Sequence, residues 1–405
     1  MRPFNLPLPI PMSNQATCVR IAVLILLLDV SSPTTPLRAV ESRYQSGIRE
    51  SFKFDPDDGP ILVTVRVAGR DYPFILDTGC TASVFDTSLK PHLGKRVGSA
   101  KMETPNASMR METYSRSHVT VGSLPLNGDS VECHDFTLMR EGVGCGLFGV
   151  LGLDFLNEWI VAIDFDQGRL DILSPTTQPE RDWGECIRVA FKSHETRYIP
   201  GTLSKSIRTT FLAVDTGDMG SGMLNGSLFS QLVTSGDMRA ISQTKTISAD
   251  GVWAENVGRI LRFRVGTFES PDLRFTKSHR NDVDGNALGL GYLRRFHVIL
   301  DFPHERIFLK KGKHFAERDH GAMCGMCLLF KKNGILVDSV DKNCPAETAG
   351  VRAKDLIVAM CGKPVSEMKP SAINRLLRTE GESITMTLDR SGKKVEATFT
   401  LKELD

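Results

Sequence analysis

A three-residue phrase, Asp-Thr-Gly, occurs twice in this chain, each time at the end of an apolar run. Phe74-Ile75-Leu76 leads into Asp77-Thr78-Gly79, and Phe211-Leu212-Ala213-Val214 leads into Asp215-Thr216-Gly217. Such a run has to be covered by protein, yet it carries an ionisable group to its tip, into surroundings where a lone charge is costly. Average residue usage predicts roughly 0.1 chance copies of the triplet in a chain this long. One copy alone reads equally well as a strand followed by an Asx or glycine turn. Two copies point to chemistry, because carboxyl groups brought together resist joint ionisation and share one proton. A single residue type then serves as general base and general acid.

The two phrases are landmarks of a longer repeat. Leu151-Gly152-Leu153 returns as Leu288-Gly289-Leu290, and Val161-Ala162-Ile163-Asp164-Phe165 as Val298-Ile299-Leu300-Asp301-Phe302. Asp77 and Asp215 are 138 residues apart, Gly152 and Gly289 are 137 apart, and Asp164 and Asp301 are 137 apart. A register that holds to one residue over such a span implies two copies of one domain. Neither copy shows a long helical period, so both read as mainly β. Residues 61–67 and 72–76 form a hairpin ending at Asp77. The polar stretch 95–117 fits either a flap-like hairpin or a plain surface loop. Glycines inside the apolar runs mark strands whose backbones approach closely.

From about residue 315 the pattern changes to a small α+β module. Residues 334–340, 355–360, 384–388 and 395–401 are strands. Residues 345–350 form a short helix stopped by glycine, and 370–379 a helix with proline in its first turn. At the other end, Arg20 precedes the apolar run Ile21-Ala22-Val23-Leu24-Ile25-Leu26-Leu27-Leu28, and a Ser/Pro/Thr-rich passage follows. Residues 1–36 therefore read as a signal peptide or leader. The apolar core falls short of the roughly 20 residues of a comfortable membrane span. An uncleaved anchor through residues 21–30 is the alternative. Export to a periplasmic or extracellular location follows from the leader, with membrane contact only if it stays uncleaved.

The formal net charge of +2, with no basic tract, argues against a nucleic-acid partner. Eight of the nine cysteines lie beyond the leader. An exported chain permits disulfides, whose connectivity the sequence does not give. Cys80 is not expected to be bridged, since it adjoins the reactive carboxylate. Cys324-Gly325-Met326-Cys327 has the spacing of half a zinc site, but no second pair or histidine stands at ligand spacing, and it reads as structural.

Leu76-Asp77-Thr78-Gly79 with Val150-Leu151-Gly152-Leu153-Asp154-Phe155-Leu156 resembles one lobe of a retropepsin-like, pepsin-type aspartic protease. Val214-Asp215-Thr216-Gly217 with Ala287-Leu288-Gly289-Leu290 resembles a second. Ser339-Val340, Cys344-Pro345-Ala346, Ala349-Gly350-Val351, Asp355-Leu356-Ile357 and Gly362-Lys363-Pro364 resemble, in that order, a PDZ domain of the bacterial kind. The resemblance spans nearly everything from residue 46 onward. It implies a mainly β fold: two tandem retropepsin-like β-barrel lobes, at 46–175 and 183–312, forming a bilobal aspartic protease, followed by an α+β PDZ domain at 315–405.

The implied activity is that of an aspartic endopeptidase, working as a monomer on a peptide or protein substrate without metal, cofactor or covalent intermediate. The resemblance makes Asp77 and Asp215 the catalytic pair. Thr78 and Thr216 would join the two active-site loops by hydroxyl–backbone hydrogen bonds, and Gly79 and Gly217 would let them approach. The PDZ module would take an extended peptide as an added strand, its carboxylate held on the Cys324-Gly325-Met326 loop. Two departures stand out, for Cys80 and Asp218 occupy positions where the family places Ser or Ala. Asp218 puts a third carboxylate near the pair or else points away into a turn, and Met219-Gly220-Ser221-Gly222 reads as a looser continuation than Thr81-Ala82-Ser83-Val84. A non-catalytic peptide-binding protein, an exported adaptor or scaffold built from the same modules, is the alternative function.

Overall fold

Ile160–Asp164 and Phe296–Asp301, strands that hold equivalent places in the repeat, pair with each other. They run antiparallel with Ala162 opposite Ile299, at the middle of a six-stranded sheet. The sheet takes Ile48–Lys53, Arg169–Leu173 and Ile160–Asp164 from the first copy, then Phe296–Asp301, Arg306–Lys311 and Glu185–Arg188 from the second. Val161, Ile163, Val298 and Leu300 face the main core, while Ile160, Ala162 and Ile299 face a smaller cluster built around Trp183 and Phe308. Both faces are thus covered, which is why these strands read as continuous apolar runs rather than as an alternation.

The computed structural model describes residues 47–404 apart from 57–58, 105–107, 117, 194, 206 and 208; the leader and its anchor alternative lie outside the described residues. Each copy adds a sheet of its own. In the first, the strand order outward is Arg70–Leu76, Gly149–Leu151, Val84–Asp86, Ser130–His134, Ser108–Ser115 and Arg96–Glu103. In the second it is Thr210–Val214, Ala287–Leu288, Gly222–Leu224, Leu273–Lys277, Gly251–Ile260 and Met238–Ser248. The orders correspond strand for strand. Of the two readings open for residues 95–117, the structure adopts the hairpin, Arg96–Glu103 with Ser108–Ser115. A longer hairpin, Met238–Ser248 with Gly251–Ile260, stands in the same place in the second lobe.

The lobes are mainly β, and their longest helix among the described residues lies in the second. Gly226–Ser235 is a helix of 10 residues, started by the Asn225 side chain accepting from Leu228 N and stopped at Gly236 with φ +76°. Its counterpart in the first lobe is a 3-10 helix of 6 residues, Thr87–His92, with Pro91 inside it. Only Phe229 and Leu232 of the longer helix are buried large side chains, too few to show as a period in the sequence.

The C-terminal module has its own core around Val337, Ile357, Ile373, Met386 and Phe399, separate from that of the lobes. Its sheet runs Met326–Lys331, Gly334–Val340, Leu356–Met360, Ser383–Arg390, Lys393–Thr400, with Met326–Lys331 at the edge. The module is seated on the second lobe by Glu403, which pairs with the fully buried Arg259 and with Arg318 (2.7 Å). On the first lobe it is held by Ser371 donating to Asp55 (2.8 Å) and by the Lys331–Glu141 ion pair.

Candidate active site

The strands Arg70–Leu76 and Thr210–Val214 bring Asp77 and Asp215 to equivalent corners. Each strand pairs in parallel with one from further along its own lobe, and that partner fixes the aspartate: Asp77 N donates to Leu151 O, and Asp215 N to Leu288 O, both at 3.0 Å. Between the lobes the loops interlock through their threonines. Thr78 Oγ1 donates to Val214 O (2.7 Å) and accepts from Thr216 N (3.0 Å). Thr216 Oγ1 donates to Leu76 O (2.8 Å) and accepts from Thr78 N (3.1 Å). Both threonines are buried, so all four bonds are shielded from competing water.

The glycines explain how close the carboxyls come. A Cβ at Gly79 would lie 2.6 Å from the Asp215 carboxyl carbon, and one at Gly217 only 2.4 Å from that of Asp77. Each carboxylate rests in the hollow left by the other loop's missing side chain. Each is also held from beneath by two N–H donors of its own loop. Gly79 N and Cys80 N donate to Asp77 Oδ1 at 2.8 and 3.1 Å; Gly217 N and Asp218 N donate to Asp215 Oδ1 at 2.8 and 3.1 Å. The second loop, looser in sequence, repeats the geometry of the first.

Burial, then the neighbouring Asp215 charge, pushes the Asp77 carboxyl well above its ordinary range. Asp215 is raised by burial, opposed by its two N–H donors and by a hydrogen bond from Asp77. Both shifts favour a proton on the pair, and carboxyls held this close titrate together rather than singly. Asp218 is pushed up to about 7, by burial first and then by the Asp215 charge. Its carboxylate accepts from Gly220 N (2.8 Å), closing a turn beside Gly289. The third carboxylate is thus turned away from the pair and still feels its charge. Burial, with the Asp77 charge second, raises the Cys80 thiol well above its ordinary value; its Sγ contacts Ala82 O at 3.0 Å. A thiol so protonated is a poor nucleophile.

Beneath each loop lies a serine that the sequence reading did not single out. Ser83 Oγ donates to Asp154 Oδ1 (2.7 Å) and accepts from Gly152 N (3.0 Å). Ser221 Oγ donates instead to Asp319 Oδ2 (2.6 Å). Ser83 and Asp154 fall within one lobe at motif positions, so their spacing is a usable signal. Nothing in the sequence around Asp319 marks it.

The two hairpins meet at their tips. Thr104 hydrogen-bonds the Asp250 carboxylate, and His134 Nε2 contacts Ala249 O at 2.8 Å. Met111 of the first hairpin is buried with Ile75, Cys80 and Val84, which ties it to the Asp77 loop. A cavity of about 550 Å³ opens between the Gly226–Ser235 helix and the second hairpin, lined by Ser230, Glu255, Lys277 and His279. It includes no residue of either Asp-Thr-Gly loop. Among the described residues, Asp164, Asp166 and His297 form a group with metal-ligand chemistry. Both ring nitrogens of His297 already face carboxylates, at 3.3 and 3.1 Å, so the group reads as a polar brace across the central sheet.

In the C-terminal module, Gly325 has φ +72° and immediately precedes the edge strand. A Cβ there would lie 2.3 Å from that of Cys344, whose side chain fills the space beneath the loop. Cys324 and Cys344 are buried, and all eight cysteines of the described residues are free thiols. The edge strand and the Pro370–Leu376 helix are both met by the first lobe. The Thr137–Val143 helix of the first lobe packs there, with Gly144 against both Phe330 and Pro370. On its other side, Gly142 lies against Ile247 of the second hairpin.

Residues 63–155 match the family model described as aspartyl protease, and residues 336–390 match that of a PDZ domain. A probable CtpA-like serine protease from Staphylococcus saprophyticus is 30% identical over 122 residues, 29% of this chain and 25% of that protein. The chain thus spans about a quarter of the length of that relative. Among solved structures, the aspartic proteinase from Irpex lacteus is 15% identical with a TM-score of 0.42, over 67% of this chain and 99% of its own. The photosystem II D1 C-terminal processing protease is 21% identical with a TM-score of 0.19, over 21% of this chain and 24% of its own.

Proposed function

We propose that this chain, with aspartyl protease sequence at its first lobe and a PDZ domain at its end, is an aspartic endopeptidase whose catalytic pair is Asp77 and Asp215. The observation that carries the reading is reciprocal. Each carboxyl sits over the other loop's glycine, and each is held by the same two backbone donors. In the proposed reaction a water lies between the carboxyls. Asp215, ionised, takes one of its protons as the oxygen attacks the peptide carbonyl carbon. Asp77 gives its proton to the carbonyl oxygen. Collapse of the tetrahedral diol breaks the C–N bond, with the proton on Asp215 passing to the leaving nitrogen and the hydroxyl proton returning to Asp77. The pair is thereby reset.

Because the Asp77 carboxyl is raised well above its ordinary range, the singly protonated form of the pair persists to higher pH than two isolated aspartates would allow. Substrate is an extended peptide, admitted between the two hairpins. The PDZ module takes a second extended segment along the part of the Met326–Lys331 edge that the Thr137–Val143 helix leaves uncovered, and the leader directs the chain out of the cytoplasm. The test is a mixed peptide library assayed from acid to neutral pH with the mature chain and its Asp77→Asn and Asp215→Asn variants. Binding of a statine-type inhibitor, which requires the shared proton, serves as the parallel measurement. Cleavage that survives both substitutions would exclude the pair. N-terminal sequencing of the exported chain checks the leader.

A further inference from the structure

The two serines beneath the loops are equivalent in the repeat, but their carboxylate partners are not. Asp154, which holds Ser83, stands at the position that Gly291 occupies in the second lobe. A Cβ at Gly291 would lie 2.7 Å from Ser221 N and 2.8 Å from its Oγ, so no side chain fits there. The acceptor comes from outside the lobe. Asp319 lies in the connector between Arg306–Lys311 and the edge strand of the C-terminal module. Its Oδ2 accepts from Ser221 Oγ (2.6 Å) and from Arg274 N (2.7 Å), joining the second active-site loop to the strand Leu273–Lys277.

We propose that Asp319 is a positioning residue for Asp215, so that the PDZ connector completes the second half of the catalytic pair. The path is short. Ser221 O accepts from Gly289 N (3.1 Å), next to Leu288, whose carbonyl holds Asp215 N (3.0 Å). Gly220 O accepts from Gly291 N (2.8 Å), and Gly220 N closes the Asp218 turn (2.8 Å). A shift of Ser221 therefore reaches the backbone that carries Asp215, whereas the matching serine of the first lobe, Ser83, is held by Asp154 from within that lobe. The residue before it, Arg318, pairs with Glu403 at the end of the PDZ module (2.7 Å). Displacement of that module pulls on the same segment, and the effect falls on turnover rather than on substrate capture.

The inference rests on the peptidase reading above, and its test uses the full-length chain with Asp319→Ala, Asp319→Asn and, two residues away in the connector, Glu317→Ala. Alanine removes the acceptor; the amide oxygen of asparagine keeps both hydrogen bonds. Asp319→Ala is expected to lower kcat roughly ten- to a hundredfold at nearly constant KM, in line with the cost of small misplacements of a reacting group. Asp319→Asn should restore most of the loss, and Glu317→Ala should behave as wild type. Equal impairment of the alanine and asparagine variants, a loss confined to KM, or a wild-type kcat for Asp319→Ala would overturn the proposal. If the wild type cleaves nothing and binds no statine-type inhibitor, the peptidase reading falls and this one with it. An active wild type with an indifferent Asp319→Ala removes this one alone.

Discussion

The two lobes present the same half-site by different means. Around the aspartates the match is close: strand ends, threonine interlock and paired N–H donors agree within about 0.1 Å. One layer below, the first lobe supplies its own brace through Asp154, and the second borrows Asp319 from the connector. The second hairpin likewise leans on the C-terminal module, because Arg259 has no exposed surface and takes Glu403 as a charge partner beside Asp272 of its own lobe. The halves agree at the centre, where they must fit each other, and differ one layer below, since any acceptor of suitable geometry can support a serine hydroxyl.

The comparison breaks most visibly if the aspartates prove unequal. Asp77→Asn and Asp215→Asn are each expected to lower kcat by roughly a thousandfold, the range for loss of a general acid or base. A large inequality in kcat between the two variants would mean that one half dominates. Next in size, Glu403→Ala leaves the buried Arg259 with only the longer contact to Asp272 (3.4 Å) as a carboxylate partner. It should cost about 3 kcal/mol, read as a lower denaturation midpoint, with hydrogen exchange rising in the second hairpin before the first. Equal loosening of the two hairpins would count against a one-sided dependence on the PDZ module.

Thr78→Val and Thr216→Val each remove two buried hydrogen bonds and should each cost about 2–3 kcal/mol. The double variant should cost less than the sum, because the two residues share one network. Full additivity would mean the loops do not act as a unit. A pH-linked effect lies at Asp218. Its folded-state value of about 7, against an ordinary 3.8, means that the folded protein binds the extra proton more tightly. The stability it contributes is fully present below about 4 and is lost as pH rises through 7. Asp218→Ser should flatten the stability profile across that window and leave the first lobe's behaviour unchanged. A profile still as steep would assign the slope to another group.

Much of this was legible in residues. The duplicated Asp-Thr-Gly, the constant offsets and the alternation of 384–388 and 395–401 gave the repeat, the aspartates and the strands of the last module. Other features were not. The helix Gly226–Ser235 buries too little apolar surface to leave a period. The 95–117 stretch was as good a loop as a hairpin until pairing register decided it. Asp319 is one acidic residue among many in a polar connector, and the equivalence of Ser83 with Ser221 does not reveal that Gly291 leaves no room for a brace.

By itself the chain's order of residues determined which segments are buried, where each carboxylate ends a strand, and that the pattern occurs twice. Those properties are local, written in periodicity and in the conformational limits of Asp, Thr and Gly. Only the tertiary structure decided that the repeated strands Ile160–Asp164 and Phe296–Asp301 are each other's partners, and that the glycines seat the opposite carboxyls. The same holds for the connector's carboxylate beneath Asp215's loop. Such contacts join residues far apart in the chain, and they depend on shape and distance in three dimensions, which composition and spacing do not encode.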